Sequence, residues 1–496
     1  MKKELFLILS ILLFSSAVYS VSGTLPFHPV FTPHYFGERF IAARTPILDD
    51  TLPLPHSNRL LNDDPEYNKK YSILVPILEV PAINGLIWAY DRYIANYDYA
   101  RISINSVENN FKNGWVWDTD DFPTNYSSHP YAGSLYFAAA RSNGYSFLES
   151  APFSLGGSLM WEYFMETSEP SYNDLINTTL SGIFLGEVLY RLSSSVLDDR
   201  KTGGARIGRE IIGTIIDPVR GINRLLQGKM TRVVDREIYQ KETLHLTAAA
   251  GVLMRNDGTT LKSTDTSPML TINFSYGDPF ETRYRKPYDY FHLHMDFSFG
   301  NPSNIINNVI GEGILFGGNT DSSYKTKTLY GVFQHYDYWN TDSFEIGTVG
   351  FGAGLLTKTP LGKNSHWQNQ VHLSAVPLGA SNAKKVVQDT EALNPAFQNY
   401  TFAGGAEMKL ESALNLGFAE IGAIYYFYYL GTYVGRPGYN VLSILRPRVS
   451  VKLFSILNVG YEYLLYTRNA HYKTGNDFRV QTGEQRIYVL LNFGNF

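Results

Sequence analysis

The amino-acid sequence predicts an antiparallel transmembrane β-barrel of about twelve strands, preceded by an α-helical domain that is periplasmic or plugs the lumen. Two observations predict it. Phe291, Leu293, Met295, Phe297 and Phe299 are interleaved with His292, His294, Asp296 and Ser298. Neighbouring side chains of a strand point to opposite faces, so this segment has one apolar face and one that carries imidazoles and a carboxylate. The same period of two recurs to the end of the sequence, as expected where lipid lies outside and a polar lumen inside. An Arg placed at outward Leu293 or Phe297 is therefore expected to meet lipid, and one at inward Ser298 the lumen.

The elements follow in order. Residues 1–20 begin with Lys2 and Lys3, continue through the apolar run Leu5 to Phe14 and end in Ala17, Val18 and Ser20. That is the layout of a cleavable signal peptide. Residues 21–70 hold Pro26, Pro29, Pro33, Pro46, Pro53 and Pro55 with no sustained period, and read as an extended periplasmic lead-in. Residues 71–240 read as helical, with apolar stretches at Ile73 to Tyr90, Ser154 to Phe164 and Leu175 to Leu192. Glu79, Glu162, Glu166 and Glu187 punctuate them, and carboxylates are costly in lipid, so these are expected to be buried helices, not membrane spans.

Residues 241–496 read as the barrel. One strand shows Leu244, Leu246, Ala248, Ala250, Val252 and Met254 on one face, and the next Leu270, Ile272, Phe274 and Tyr276. The last two carry Leu457, Val459, Tyr461, Tyr463, Leu465 and then Ile487, Val489, Leu491, Phe493. Leu414 to Gly417 and Phe454 to Ile456 are expected to be tight turns, and Gly379 to Gln398, Gly431 to Asn440 and Asn469 to Val480 long loops. The short Trp339 to Ser343 connection falls where an outer loop is expected and leaves the strand count open by two. Phe496 is similar to the terminal aromatic residue that engages the barrel-assembly machinery, although the apolar set here is offset to Phe493.

Composition narrows the function. Charged residues make up 18% and the formal net charge is −4, which gives no support to nucleic-acid binding. Aromatic residues make up 15%, with 36 Tyr and 30 Phe, and such rings suit membrane interfaces. There is no Cys, so disulfides are excluded and a metal would need His and carboxylate ligands.

The densest run of unusual residues lies between Trp115 and Glu187. It includes Trp117-Asp118-Thr119-Asp120, Asn125, His129-Pro130-Tyr131-Ala132-Gly133, Arg141-Ser142-Asn143-Gly144-Tyr145 and Glu149-Ser150. Gly156-Gly157, Trp161-Glu162, Glu166, Pro170-Ser171-Tyr172-Asn173-Asp174 and Gly186-Glu187 follow, with Asp217-Pro218-Val219-Arg220-Gly221 beyond. This run resembles the bacterial family known as domain of unknown function 3943, over residues 115–228. The resemblance implies an exported helical block followed by an outer-membrane barrel. It implies no activity and no cofactor.

Glu162 and Glu166 stand four apart on one helical face, where like charges repel unless a cation, an Arg or a proton intervenes. A helical hairpin would bring them to Asp174, with His129 or Arg141 entering from the preceding segment. The catalytic candidates are thus His129, Glu162, Glu166 and Asp174, with Ser134, Ser142 or Ser150 as nucleophiles for a general base at His129. Asp118, Asp120, Asn125, Tyr131, Arg141, Asn143, Glu149 and Glu187 are candidates for a ligand site or a structural polar network. An Arg141 pair with Glu162 or Glu166 would make that network purely structural, and Glu162→Gln would then destabilise it. Gly182-x-x-x-Gly186 reads as close helix packing.

The expected protein is an outer-membrane barrel of a two-membrane bacterium with a structural or transport role, touching outer-membrane lipid and an unidentified small-molecule or lipid ligand. The alternative is an outer-membrane hydrolase acting on lipid or envelope glycan through His129 and the carboxylates. A soluble secreted protein of two domains is the third reading.

Overall fold

The computed structural model describes residues 69–118, 120–281, 284–300, 305–320, 325–382, 400–474 and 476–495. The expected signal peptide, the lead-in up to residue 68 and Phe496 lie outside the described residues.

The helices are α1 (Leu74–Tyr93), α2 (Ile104–Lys112), α3 (His129–Ser142), α4 (Phe147–Phe164), α5 (Tyr172–Val196), α6 (Gly203–Ile216) and α7 (Pro218–Leu226), with a π-helical turn at Thr124–Ser128 before α3. Their starts are written in the sequence. Ser146 and Glu149 close a capping box on α4, Ser171 accepts from the Asp174 amide at the start of α5, and Asp217 caps α7 ahead of Pro218; each satisfies an amide that the first turn leaves unpaired. α3 and α5 meet at glycines. A Cβ on Gly133 would fall 1.8 Å from the Thr178 carbonyl oxygen, and one on Gly182 would fall 2.6 Å from Gly133. Only hydrogen fits there, so the two backbones touch.

The strands are β1 (Leu244–Asn256), β2 (Ser263–Tyr276), β3 (Phe291–Ser298), β4 (Ile306–Asn319), β5 (Lys327–Asn340), β6 (Glu345–Pro360), β7 (His366–Asn382), β8 (Thr401–Asn415), β9 (Ala419–Val434), β10 (Gly438–Lys452), β11 (Leu457–Tyr472) and β12 (Phe478–Asn495). Each pairs antiparallel with the next, and β1 pairs with β12, so the sheet closes on itself. Closure removes the edge strands.

Contacts between strands that are not neighbours identify the lumen. Arg486 on β12 lies 2.5 Å from Asp296 on β3, Arg446 on β10 lies 3.7 Å from the same carboxylate, and Lys409 on β8 lies 2.6 Å from Asp337 on β5. Such pairs can meet only across the inside of the barrel. The face of β3 bearing His292, His294, Asp296 and Ser298 therefore points inward, as its alternation predicts.

The helices pack on the other face. Phe184 of α5 stacks on Tyr336 of β5 at 5.8 Å and fills the space over Gly311 of β4, where a Cβ would come within 2.3 Å of its ring. Trp117 meets Phe402 of β8 and Tyr433 of β9. Phe122, Tyr126, Phe137, Val188 and Leu192 form one apolar core with Leu246, Phe274, Leu293, Phe297 and Val349. The helical domain thus lines the outer wall of the barrel and does not plug its lumen. The expectation that Leu293 and Phe297 face lipid is corrected in the same way: both are 3% exposed, because helices cover their outward face. The uncovered wall keeps apolar side chains in solvent-accessible positions, among them Leu445, Val449, Val459, Ile487 and Val489.

Two further expectations are revised. The short β5–β6 connection does not add or remove strands: it folds into the barrel, where Phe344 stacks on Tyr466 of β11 at 4.0 Å and Asp342 pairs with Arg255 of β1. The expected long loop from Gly431 to Asn440 is only residues 435–437 between β9 and β10, since both strands continue past the predicted turn; likewise β11 and β12 leave only 473–477 between them. No described helix is long and apolar enough to cross a membrane. α1 is less buried than expected, with Leu74, Ile77, Leu78 and Leu86 exposed.

Candidate functional site

Three element ends converge beside the wall at the β7–β8 end of the barrel. They are the C-terminal turn of α4, the first turn of α5 and the start of α3, with the segment before the π-helical turn folded over them. Ser171 caps α5 with its hydroxyl, and its amide donates to Glu162 Oε2 at 2.7 Å, so the cap ties α4 to α5. Glu162 also hydrogen-bonds Glu166. Asn173 donates to Asp118 Oδ1 at 2.9 Å, to Asn125 Oδ1 at 3.1 Å and to Asp174 Oδ1 at 2.9 Å. His129 places Nε2 3.3 Å from Asp174 Oδ1 and Nδ1 3.2 Å from Thr178 Oγ1. The barrel takes part: Asn125 donates to the Tyr400 hydroxyl at 2.6 Å, and that hydroxyl donates to the Asp120 carbonyl at 2.8 Å.

The electrostatics of this cluster are unusual. Burial raises the Glu162 carboxyl to about 8, with Asp118 adding to the shift, and raises Asp174 to about 8, with Glu162 adding to it. Asp118 is raised to about 7 by burial and by Asp174, and Glu166 is pushed well above the usual carboxylate range by burial and by Glu162. Carboxylates crowded in a low-dielectric site hold protons near neutral pH. Perturbed groups of this kind gather at functional sites more often than elsewhere. Asp118, Asp120 and His129 can bring one ligand atom each within 4.8 Å of one another, an oxygen and imidazole set that suits a divalent cation.

The structure divides the sequence candidates. It brings Asp118, Asp120, Asn125, His129, Glu162, Glu166 and Asp174 together. Arg141 is not among them. It pairs with Glu187 at 2.8 Å and lies over the Tyr190 ring at 4.2 Å, because it sits at the far end of α3 from His129. The expected Arg141 pair with Glu162 or Glu166 is thereby replaced by an Arg141–Glu187–Arg191 group, with Arg191 at 2.8 Å. Asn143 binds Glu79 at 3.0 Å, Glu149 is a helix cap paired with Lys70 at 2.6 Å, and the Tyr131 carbonyl accepts from Ser134. Ser134, Ser142 and Ser150 each donate to a main-chain carbonyl of Tyr131, Ala138 and Ser146, and none of these bonds reaches His129. The sequence reading missed Tyr400, which sits far along the chain, and Asn173 as the hub of the cluster, although its place in the Ser171-Tyr172-Asn173-Asp174 cap was visible. It also missed a second buried network, in which Arg224 joins Asp199 at 2.8 Å and Glu210 at 2.6 Å.

A pH dependence follows from the raised carboxyls. In the unfolded chain these groups release protons near pH 4, whereas in the fold Glu162 and Asp174 hold them to about 8. The stabilisation is fully present below the unfolded value and is lost as pH rises through the folded one. The helical domain is expected to lose stability between about pH 4 and 8. Glu162→Gln, which keeps an acceptor for the Ser171 amide and removes the ionisable group, is expected to flatten that slope, not to destabilise. Denaturant midpoints of both proteins across this range check it, and a steeper slope in the variant would count against it.

A closed barrel with an apolar exterior and a helical block on its wall is the class of protein that these features define. Residues 114–219 match the family model described as Domain of unknown function (DUF3943), the family that the run from Trp115 resembles. No curated protein matches the chain. Among solved structures, the NanC porin aligns with 50% of this chain and 98% of its own at 9% identity and a TM-score of 0.28. The outer membrane channel DcaP of Acinetobacter baumannii aligns with 51% and 96% at 7% identity and 0.23, and the Pseudomonas putida toluene transporter TodX with 51% and 90% at 9% identity and 0.23. The barrel rests on its own strand pairing.

Proposed function

We propose that this chain is an outer-membrane barrel protein of a two-membrane bacterium, with a structural or transport role in which the lumen is closed at rest. One observation supports this most: side chains from distant strands meet inside the barrel, so that Arg486, Arg446, Asp296 and Glu462 form one buried group, while the uncovered exterior is apolar. The β5–β6 turn fills the same lumen with Phe344. Porin-type channels keep a water-filled polar interior; here Arg446 and Arg486 reach across the interior to Asp296 and Glu462. The wall-bound helical domain carries the carboxylate–histidine cluster as a site for a polar small-molecule or lipid-headgroup ligand. The hydrolase alternative keeps His129 between Asp174 and Thr178, while Ser134, Ser142 and Ser150 each donate to a main-chain carbonyl.

Reconstitution into planar bilayers tests the closed lumen. The folded protein is expected to shift on a gel after boiling and to give no steady open-channel current. Stable porin-like conductance from the unaltered chain would contradict the proposal.

A further inference from the structure

We infer that the barrel lumen contains a binding site for one divalent transition-metal ion, held by Glu312 of β4, His335 of β5 and His372 of β7. These residues lie on the opposite side of the wall from the carboxylate cluster, and one ligand atom from each falls within 4.8 Å of the other two. Strand register builds the site. On β6, which lies between β5 and β7, the inward positions nearest these imidazoles are Gly350, Gly352 and Gly354, paired with His335, Phe333 and Gly331 on one side, and Gly354 pairs with His372 on the other. With no side chains on that strip, the two imidazoles lean over β6 and meet with ring centroids 4.9 Å apart. A Cβ on Gly354 would lie 2.4 Å from His372 Nδ1, so the glycine seats that edge of the ring and leaves Nε2 directed at Glu312.

The bonding at this point is incomplete. His335 is 0% and His372 2% exposed, yet His335 Nε2, both nitrogens of His372 and Glu312 Oε1 have no hydrogen-bond partner. Buried polar atoms are paired in the great majority of cases, and a group of orphans pointing together calls for a ligand. His372 Nε2 lies 3.3 Å from Glu312 Oε2 without a hydrogen bond between them. Two ligands on a tetrahedral ion with bonds of about 2.0–2.1 Å are separated by about that distance. Two imidazoles and a carboxylate are the donor set of borderline ions such as Zn²⁺ and Fe²⁺, with a fourth position left open. The neighbouring cation does not close the site to metal: Lys409, 3.4 Å from His335 Nδ1, is neutralised by Asp337 at 2.6 Å and Glu407 at 3.8 Å. Bound metal would tie β4, β5 and β7 together inside the lumen.

The test uses the full chain folded in detergent, with Zn²⁺ and Co²⁺ alone as probes. After dialysis against Zn²⁺ and removal of free ion, the unaltered protein is expected to retain one ion per chain by mass spectrometry. Glu312→Gln and the double variant His335→Gln, His372→Gln are expected to fall to background while keeping the gel shift on boiling. In the unaltered protein, Co²⁺ is expected to develop visible bands of a low-coordinate nitrogen and oxygen site. Retention no greater in the unaltered chain than in folded variants would overturn the inference, leaving aromatic packing of His335, His372 and Phe333 as the whole role of these rings. Should the variants fail to fold, a featureless cobalt titration of the unaltered protein would overturn it equally.

Discussion

Glu187→Ala is expected to destabilise the helical domain by about 3–5 kcal/mol, the range for breaking a buried ion group from one side. Glu187 sits on the buried face of α5 and accepts from Arg141 at 2.8 and 3.2 Å and from Arg191 at 2.8 Å. All three side chains are within 1% of complete burial. Removing the carboxylate leaves two buried guanidiniums facing each other, and a buried charge without its partner is costly. Tyr190 and the Tyr145 carbonyl hold Arg141 in place, so it cannot swing out to solvent. Arg191 also donates to the Pro287 carbonyl at 3.2 Å, in the segment before β3, and loss of Glu187 is therefore expected to loosen the helices from the wall as well. Urea unfolding followed by helical circular dichroism measures the change. A loss well under about 1 kcal/mol would be typical of a solvent-screened pair and would count against this burial.

A comparable loss, about 3–5 kcal/mol, is expected for Asp296→Ala in the lumen. Asp296 accepts from Arg486 and Thr271 at 2.5 Å and from Asn308 at 2.8 Å, and His294 lies 3.1 Å away. Without it, Arg486 keeps Glu462 at 3.4 Å and Glu484 at 3.6 Å, but it shares Glu462 with Arg446 at 2.7 Å, so both guanidiniums lose a carboxylate that they had faced. The gel shift on boiling should occur at a lower temperature than in the unaltered chain. The variant should also conduct ions in planar bilayers more readily, because a cross-lumen tie between β3, β10 and β12 has been cut. Unchanged heat stability would show that the group contributes nothing to closure.

The barrel was legible because its signal is local. A period of two survives in any stretch of six residues, and the alternation of β3 alone separates Asp296 from Phe297. Which outward face meets lipid was not legible, since covering depends on α5 lying across β4 and β5, and Phe184 and Gly311 are too far apart in the chain for any pattern to link them. The same limit explains Arg141. The repulsion between Glu162 and Glu166 suggested a cationic partner for them, but α3 runs away from that cluster and delivers the guanidinium to Glu187. The caps at Ser146, Ser171 and Asp217 are local, each acting within three residues. The convergence of Glu162, Asp174 and His129 could be anticipated from a hairpin, whereas Tyr400 entered it only through barrel closure. His335 and His372 gave no sequence signal: each is one polar residue on an inward face, and only the glycine strip of β6 lets them meet.

Helices, not lipid, cover part of the barrel wall, while the lumen is filled by its own side chains. Because the sequence has no Cys, single cysteines at Leu293, Val449 and Val489 can each carry one fluorophore in vesicles of brominated lipid. Val449 and Val489 are 39% and 41% exposed on the uncovered wall, against 3% for Leu293. Strong quenching is predicted at Val449 and Val489 and little at Leu293, and quenching at Leu293 equal to that at the other two would contradict the placement of the helical domain.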